Sequence, residues 1–497
     1  MNNSNNQYDI IVIGSGLAGL TSAALLTQSG YKVLVLEQHY FVGGLAHTFK
    51  RSNYIFDSAI HVIGGGEEGG EIYNLYNKLG LLDQIKFTKI DPMITVKIED
   101  ELFSVPGELD KFKSLLQTLF PEEQTSIRNV IDEIKYIGSL KGNYNTEVLK
   151  RIIELEKTSF KEYLDEHFTH PHIKLLLSSL VLFAGVSIDE LSTFKMINIM
   201  SSYNGGAFYP KGNSQQLSNV LKKYILENGS KVIVNRKVEK ILVNGSDVEG
   251  VVDHRGNHYR AKTIISNADL KNTFTQMMDE KLLPQSFRKQ LRNLKNSYSA
   301  VVLYGVIKNE DWNQTNFSHE TVYISEKNIE NSMDFCFDPL NSENVPVISF
   351  CCPSVSEKSL APAGYSIINV MSLCDSHYLE KIRDEKGKEF IADKYLNMLE
   401  KKIPGIKERL HFYEFATPRT IHRFTLNDGG SIYGWMKNTI RIGTDMFGPE
   451  TPIKGLYLTG HWSQSAHGVY GVMRSGRLTA EKIMEMSNLL LQIAIKD

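Results

Sequence analysis

Glycines at fixed spacing, one well-placed carboxylate and three histidines are the residues of this chain whose types and positions can do chemistry. Gly14-Ser15-Gly16-Leu17-Ala18-Gly19 has the G-x-G-x-x-G spacing that receives a dinucleotide. In that pattern Gly14 makes the sharp turn, Gly16 lets the backbone approach a pyrophosphate, and Gly19 lets the following helix pack closely on a sheet. Ser15 and Ala18 are the small residues between them. Glu37 stands at the distance where a carboxylate binds ribose hydroxyls. Gly43-Gly44 lack Cβ atoms and let the chain pass close to a bound group. Near the C-terminus, Gly460-His461 is followed by Gly468, Val469, Gly471, Ser475 and Gly476, small positions suited to a ring or a phosphate at a second helix N-terminus. His61, His461 and His467 can relay a proton near neutral pH, or serve as structural hydrogen-bonding groups. Arg419 and Arg423 are open to the same two readings, an acidic ligand or a solvated surface. The four cysteines, Cys336, Cys351, Cys352 and Cys374, show no C-x-x-C pair and no zinc spacing, so no metal site is expected.

The elements that must position these residues follow from hydrophobic pattern. Residues 8–12 read as a strand, residues 21–28 as the body of a helix, and residues 31–36 as a second strand ending at Glu37. Residues 54–63 read as an apolar strand running into Gly64-Gly65-Gly66. Residues 94–98 and 102–105 form a hairpin pattern, and residues 109 to about 200 are mostly helical, with Ser159 capping one start. Residues 173–186 are the most apolar run of that region, a buried helix or one lining an apolar cavity, and too short for a bilayer span of about 20 residues. Tyr203, Phe208 and Tyr209 are candidates for the same lining. Residues 207–213 read as a turn opening a helix over 215–227, followed by strands over 231–234, 238–243, 248–252 and 259–265. Strands are expected over 299–307, 347–350 and 365–371, with a basic helix over 284–294, and the last strand over 455–460 leads into a C-terminal helix.

The 497 residues exceed what one core usually supports, so two interleaved domains are expected. Hydrophobic residues make up 42% and charged residues 23%, ordinary for a folded chain, and the net charge of -2 argues against a nucleic-acid partner. No secretory pattern opens the sequence and no long apolar run crosses it, which points to a cytoplasmic protein.

Together these landmarks resemble the FAD-dependent phytoene desaturase, carotenoid isomerase and retinol saturase superfamily, itself related to the amine oxidases. The likeness covers nearly the whole chain and rests on residues 14–20, Glu37, Gly43-Gly44, Phe56-Asp57-Ser58-Ala59-Ile60-His61, Tyr209-Pro210-Lys211-Gly212 and residues 455–460. The resemblance implies an α/β fold: a Rossmann-like FAD-binding domain (residues 1–85, 206–270 and 426–497) interleaved with a mixed-sheet and helical substrate domain (residues 86–205 and 271–425). It implies that the glycine turn holds the FAD pyrophosphate, Glu37 its ribose, the Val238 backbone its adenine, and Gly460, His461, Gly468 and Val469 the flavin side. Relatives carry an acid where His461 stands and often two glycines where Gly212-Asn213 stands. The implied reaction is saturation or desaturation of a carotenoid, retinoid or similar isoprenoid polyene by hydride exchange at flavin N5. A redox-neutral isomerase, an amine or amino-acid oxidase with an aromatic cage near Trp435 or Trp462, and a non-catalytic prenyl-lipid escort are the alternatives. No second G-x-G-x-x-G unit is present, so NAD(P)H is expected at most as a transient donor. Extraction of such a lipid from a bilayer implies peripheral membrane contact.

Overall fold

A computed structural model describes residues 6–140, 144–309, 318–325, 335–378, 385–439, 447–463 and 468–496. Its centre is a five-stranded, all-parallel sheet in the order Leu456–Leu458, Thr263–Ser266, Ile10–Ile13, Val33–Leu36 and Lys231–Ile233. Ile-Ile-Val-Ile and Val-Leu-Val-Leu are buried at every position, as a parallel sheet covered on both faces requires. Alternate residues feed two cores. Ile10, Val12, Val33 and Val35 join the helical face, whereas Ile11, Ile13, Leu34 and Leu36 join the face under the three-stranded sheet.

Ile10–Ile13 has Val33–Leu36 on one side and Thr263–Ser266 on the other, so the chain leaves this central strand in both directions. Ligands of such sheets sit beyond the carboxyl ends of the strands at this switch point. Gly14 stands there with φ +91° and leads into the helix Leu17–Gln28, which is buried along nearly its whole length. The C-terminal helix Gly468–Lys496 crosses it closely: a Cβ on Gly476 would lie 2.4 Å from the Ala18 carbonyl oxygen.

A seven-stranded sheet stands apart from this one, in the order Leu410–Ala416, Ser299–Lys308, Tyr365–Cys374, Val347–Cys351, Glu320–Ile324, Ile94–Ile98 and Glu101–Val105. It is antiparallel except where Glu320–Ile324 runs parallel to Ile94–Ile98. Helices Leu109–Leu119, Gln124–Ser139, Thr146–Lys157, Phe160–His167, Pro171–Ser178 and Thr193–Ser202 share its largest core. Ser159 and Glu162 form the reciprocal cap expected at one of these starts, with bonds of 2.9 and 3.2 Å.

Several local expectations need correction. Residues 207–210 form a buried strand paired with Phe87–Ile90, because the apolar Ala-Phe-Tyr finds a partner that the turn signals around Pro210 conceal. Residues 259–265 are two strands in different sheets, His258–Arg260 and Thr263–Ser266. The strand at Tyr54–Asp57 ends before Ser58, and the chain then loops through His61. The apolar run from residue 173 is the helix Pro171–Ser178 followed by a tight turn of helix at Ser179–Phe183. It is packed into the core, and within it only Phe183 borders the large cavity.

Candidate functional site

Two glycine turns meet back to back at the end of the central strand. Gly43 and Gly44 adopt φ +120° and +59°, the Gly43 amide donates to the Ser15 carbonyl (2.9 Å), and a Cβ on Gly44 would sit 3.1 Å from the Gly16 Cα. A Cβ on Gly19 would lie 2.3 Å from the Gly14 carbonyl oxygen. Side chains are thus excluded by backbone at Gly19 and Gly44, and Gly16 and Gly43 are bounded by the Asn267 amide and the Ser218 hydroxyl, which leaves a shallow cradle floored by peptide groups. Glu37 closes one side. Its Oε2 accepts from the Ser15 amide and hydroxyl, each at 2.7 Å, and its Oε1 accepts from the His39 amide at 2.8 Å. Three donors fix the carboxylate at the rim, with lone pairs remaining toward the cavity.

The cradle opens into one cavity of about 2450 Å³. Drug-sized ligands fill roughly 300–1,000 Å³, so this space accommodates a large cofactor and a substrate together. Gly14, Gly16, Ala18, Glu37, Gly43, Gly44, His61, Val238, Gly460, His461, Gly468 and Val469 all line it. Ser15 does not, because both its polar groups turn to Glu37, and Gly19 is occupied by its contact with Gly14. His467 lies outside the described residues. Asn267, which sequence reasoning passed over, lies between the glycine strands. A Cβ on Gly16 would meet its Nδ2 at 2.7 Å and a Cβ on Gly460 its Oδ1 at 2.3 Å. These backbone-floored turns, the carboxylate beside them and the Arg474 cation on the lining fit a dinucleotide such as FAD.

The far wall belongs to the mixed sheet and the helices. Tyr203 lines it, but Phe208 and Tyr209 do not: Phe208 packs over Gly66 and the Tyr209 hydroxyl bonds the Asp57 carboxylate. Asp57 also accepts from the Ser214 amide (3.0 Å) and hydroxyl (2.6 Å), and Tyr304 donates to the Ser58 carbonyl (2.6 Å). The loop that presents His61 is therefore held at several points. His61 Nδ1 lies 3.0 Å from Glu320 Oε2 and 3.1 Å from the Ser349 hydroxyl, which itself bonds Glu320. The Cys351 thiol completes a buried group whose ligand atoms lie within 4.8 Å of one another. His319 bridges the Ser356 hydroxyl (3.0 Å) and the His61 carbonyl (2.8 Å).

The charge states of this group follow from its surroundings. Burial disfavours the imidazolium of His61, but the Glu320 carboxylate, as ion pair and hydrogen-bond acceptor, outweighs it and raises the His61 pKa. Burial likewise opposes ionisation of Glu320, and His61 outweighs it in turn, lowering the Glu320 pKa. Burial, with the neighbouring Glu320 charge, keeps Cys351 a thiol. His461 behaves oppositely: burial, aided by the Lys437 cation, pushes it down to about 3, so its ring is neutral at ordinary pH.

Other candidates separate. Arg423 borders the cavity and lies over the Phe424 ring at 4.6 Å, whereas Arg419 is exposed and outside it. Trp435 and Trp462 are buried in the core and do not themselves line the cavity, the Trp435 indole donating to the Trp462 carbonyl (3.1 Å) and its ring lying under the cavity-lining Lys437. Glu320, Ser349 and Lys437 were missed from sequence. The one available signal was a lone acid, Glu320, opening an otherwise apolar strand.

Comparisons with known proteins agree with this geometry. The chain is 27% identical over 518 residues to prolycopene isomerase 2, chloroplastic, of an Oncidium hybrid cultivar, covering 96% of this chain and 84% of that one. It is 26% identical over 544 residues to the all-trans-retinol 13,14-reductase of Danio rerio, covering 97% and 87%. Its fold matches that of an oxidoreductase from Methanosarcina mazei with a TM-score of 0.69 at 18% identity, over 96% of this chain and 100% of that one. The model of the flavin containing amine oxidoreductases matches residues 17–484, and the chain belongs to that family.

Proposed function

We propose that this chain binds FAD in its glycine cradle and acts as an oxidoreductase on a carbon–carbon double bond of a carotenoid, retinoid or similar isoprenoid lipid. The observation that carries the reading is one cavity joining a dinucleotide cradle to a largely apolar wall that bears a single buried, ion-paired histidine. Gly14, Gly16, Gly43, Gly44, Glu37, Val238, Gly460, Gly468 and Val469 would hold the cofactor. Bound there, a flavin supplies hydride exchange with a substrate carbon. Reducing a double bond also requires a proton at the neighbouring carbon, and His61 is placed to hold it. Its Nδ1 is engaged by Glu320 and Ser349, which leaves Nε2 as the ring nitrogen for the cavity. Glu320 keeps that ring protonated; in the reverse direction the same nitrogen takes the proton up. His461, neutral and buried, orients by hydrogen bonding and does not deliver an imidazolium proton.

The relatives whose names denote prolycopene isomerisation and retinol reduction support a conjugated lipid as substrate. Amine oxidation has less support, since the two tryptophans of the expected cage do not line the cavity but lie behind Lys437 and His461. Among the described residues no helix is long and apolar enough to cross a membrane. Leu149 and Ile153, one turn apart on Thr146–Lys157, are 44% and 43% exposed and also border the cavity. We read them as a lipid entrance that touches a bilayer peripherally, and a nicotinamide as a transient electron donor. Anaerobic stopped-flow absorbance with a polyene panel tests the reaction. Reduced flavin reoxidised by a polyene makes the protein a saturase, and oxidised flavin bleached by one makes it a desaturase. Isomer change with the flavin unaltered makes it an isomerase. Protein that purifies without flavin and takes none up refutes the reading.

A further inference from the structure

One wall of the cavity carries a charge that the reaction above does not use. Lys437 is 2% exposed and borders the cavity. Its ammonium donates to the Ser463 carbonyl (3.1 Å) and lies 3.4 Å from the centre of the Trp435 ring. Among the described residues no carboxylate lies within ion-pairing distance of it. Its nearest charged neighbour is a second cation, Lys195, on the helix Thr193–Ser202. Lys195 is largely buried and reaches Glu156 Oε1 at 3.4 Å, and both of these residues also border the cavity. Two lysines against one carboxylate leave Lys437 the member of this wall with no carboxylate partner among the described residues. Burial and Lys195 both act against the charge on Lys437, as expected of a cation whose counter-ion is not supplied by the protein.

We propose that Lys437, with Lys195 and Glu156 beside it, forms a subsite for a single carboxylate, so that the lipid taken into this cavity is an acid-headed polyene rather than a neutral hydrocarbon or alcohol. The inference rests on the lipid reading of the cavity and specifies its substrate class. Lys195 and Glu156 belong to the helical wall, while Lys437 itself bonds Ser463 beside the Gly460-His461 turn, so the subsite lies where the substrate wall meets the cofactor turn. An incoming carboxylate neutralises the wall and satisfies Lys437 with a charge-assisted hydrogen bond. The apolar residues beside it, Phe194, Ile152 and Ile199, accommodate the chain that follows.

The experiment compares all-trans-retinoic acid with all-trans-retinol, two probes with the same polyene and different heads. Binding is read from tryptophan fluorescence of the oxidised protein, without turnover, which Trp435 beside Lys437 makes sensitive to this subsite. Wild type is expected to bind the acid at least tenfold more tightly than the alcohol, about 1.4 kcal/mol. Lys437→Met, which keeps the length and loses the charge, should bring that ratio close to one. Glu156→Gln leaves Lys195 without its carboxylate as well and should raise the ratio, and it decides the matter if the Lys437 variant does not fold. A wild-type ratio near one, or a ratio unchanged in either variant, overturns the inference. An unchanged ratio in Lys437→Met together with a lowered flavin midpoint potential overturns it too, and assigns the charge to the reduced cofactor. Absence of flavin from the protein refutes the reading beneath it separately, because the head-group ratio is scored either way.

Discussion

Replacing Glu320 by glutamine tests the buried ion pair on which the proposed proton delivery depends. The Glu320 side chain is fully buried, that of His61 is 4% exposed, and the two are 3.0 Å apart. Each holds the other ionised against burial, His61 above and Glu320 below its ordinary pKa. The signs define a window. The Glu320 contribution is complete above its unfolded value of about 4.3 and is lost as pH falls through its lowered folded value. The His61 contribution is complete below its unfolded value of about 6.5 and is lost as pH rises through its raised folded value. The pair is therefore worth most between those two unfolded values. Removing one partner of a buried pair costs about 3–5 kcal/mol when the other keeps its charge. His61 can instead release its proton, which limits the loss: at pH 5.5 that release costs about 1.4 kcal/mol on top of the lost attraction. We expect Glu320→Gln to lose about 3 kcal/mol at pH 5.5, and progressively less as pH rises through the raised folded value of His61, above which Glu320 keeps its charge beside a neutral ring. Urea unfolding of both proteins across this range measures it, and the alkaline limb of reductive turnover should move to lower pH in the variant. Equal losses at pH 5.5 and pH 9 would show that the pair is not ionised and would remove His61 as proton donor.

Three further outcomes are expected. Gly19→Ala drives a Cβ into the Gly14 carbonyl, which is backbone and cannot turn aside, so flavin absorbance per protein should fall below about a tenth of wild type. Gly16→Ala meets only the movable Asn267 amide within the protein and should fold near wild type, so flavin lost there reports the pyrophosphate's approach, and undiminished flavin in both variants would contradict the cradle. His461, depressed to about 3 by burial and Lys437, contributes stability that is present above its unfolded value and lost as pH falls toward 3. His461→Asn should therefore lessen the acid loss by about 2 kcal/mol at pH 5, and an unchanged slope in chemical denaturation would refute the assignment. Replacing both Leu149 and Ile153 by aspartate should reduce co-flotation with liposomes severalfold while leaving the thermal midpoint near wild type, and undiminished flotation would place the lipid entrance elsewhere.

The readable parts of the site were those whose parts lie close together in the chain. The turn from Gly14 to Gly19, the acid at Glu37 and the helix Gln215–Glu227 each declare themselves through spacing and periodicity within a short window. The strand at Ala207–Pro210 did not, since its pairing with Phe87–Ile90 is a tertiary choice that overrode the turn chemistry around Pro210. Nor did the break between His258–Arg260 and Thr263–Ser266, where an uninterrupted β pattern serves two sheets.

His61 shows where such reading stops. Its type and its place beside three glycines marked it as a candidate, but a buried histidine alone is expected to be neutral. What reverses that is Glu320, 259 positions on, with Asp57 adding to it; pairing with Cys351 brings Glu320 beside His61 in the mixed sheet. The same holds in the opposite sense for His461, whose neutrality comes from burial under the assembled fold, aided by Lys437. Local sequence thus makes legible the cradle proposed for the cofactor, because peptide geometry forms most of it. The protonation states that decide what a substrate meets arise only when the second sheet and the helices close over it. The two histidines of one cavity are then set apart, one raised and one lowered in pKa, and on that difference rests the proposal that His61 delivers a proton while His461 only positions.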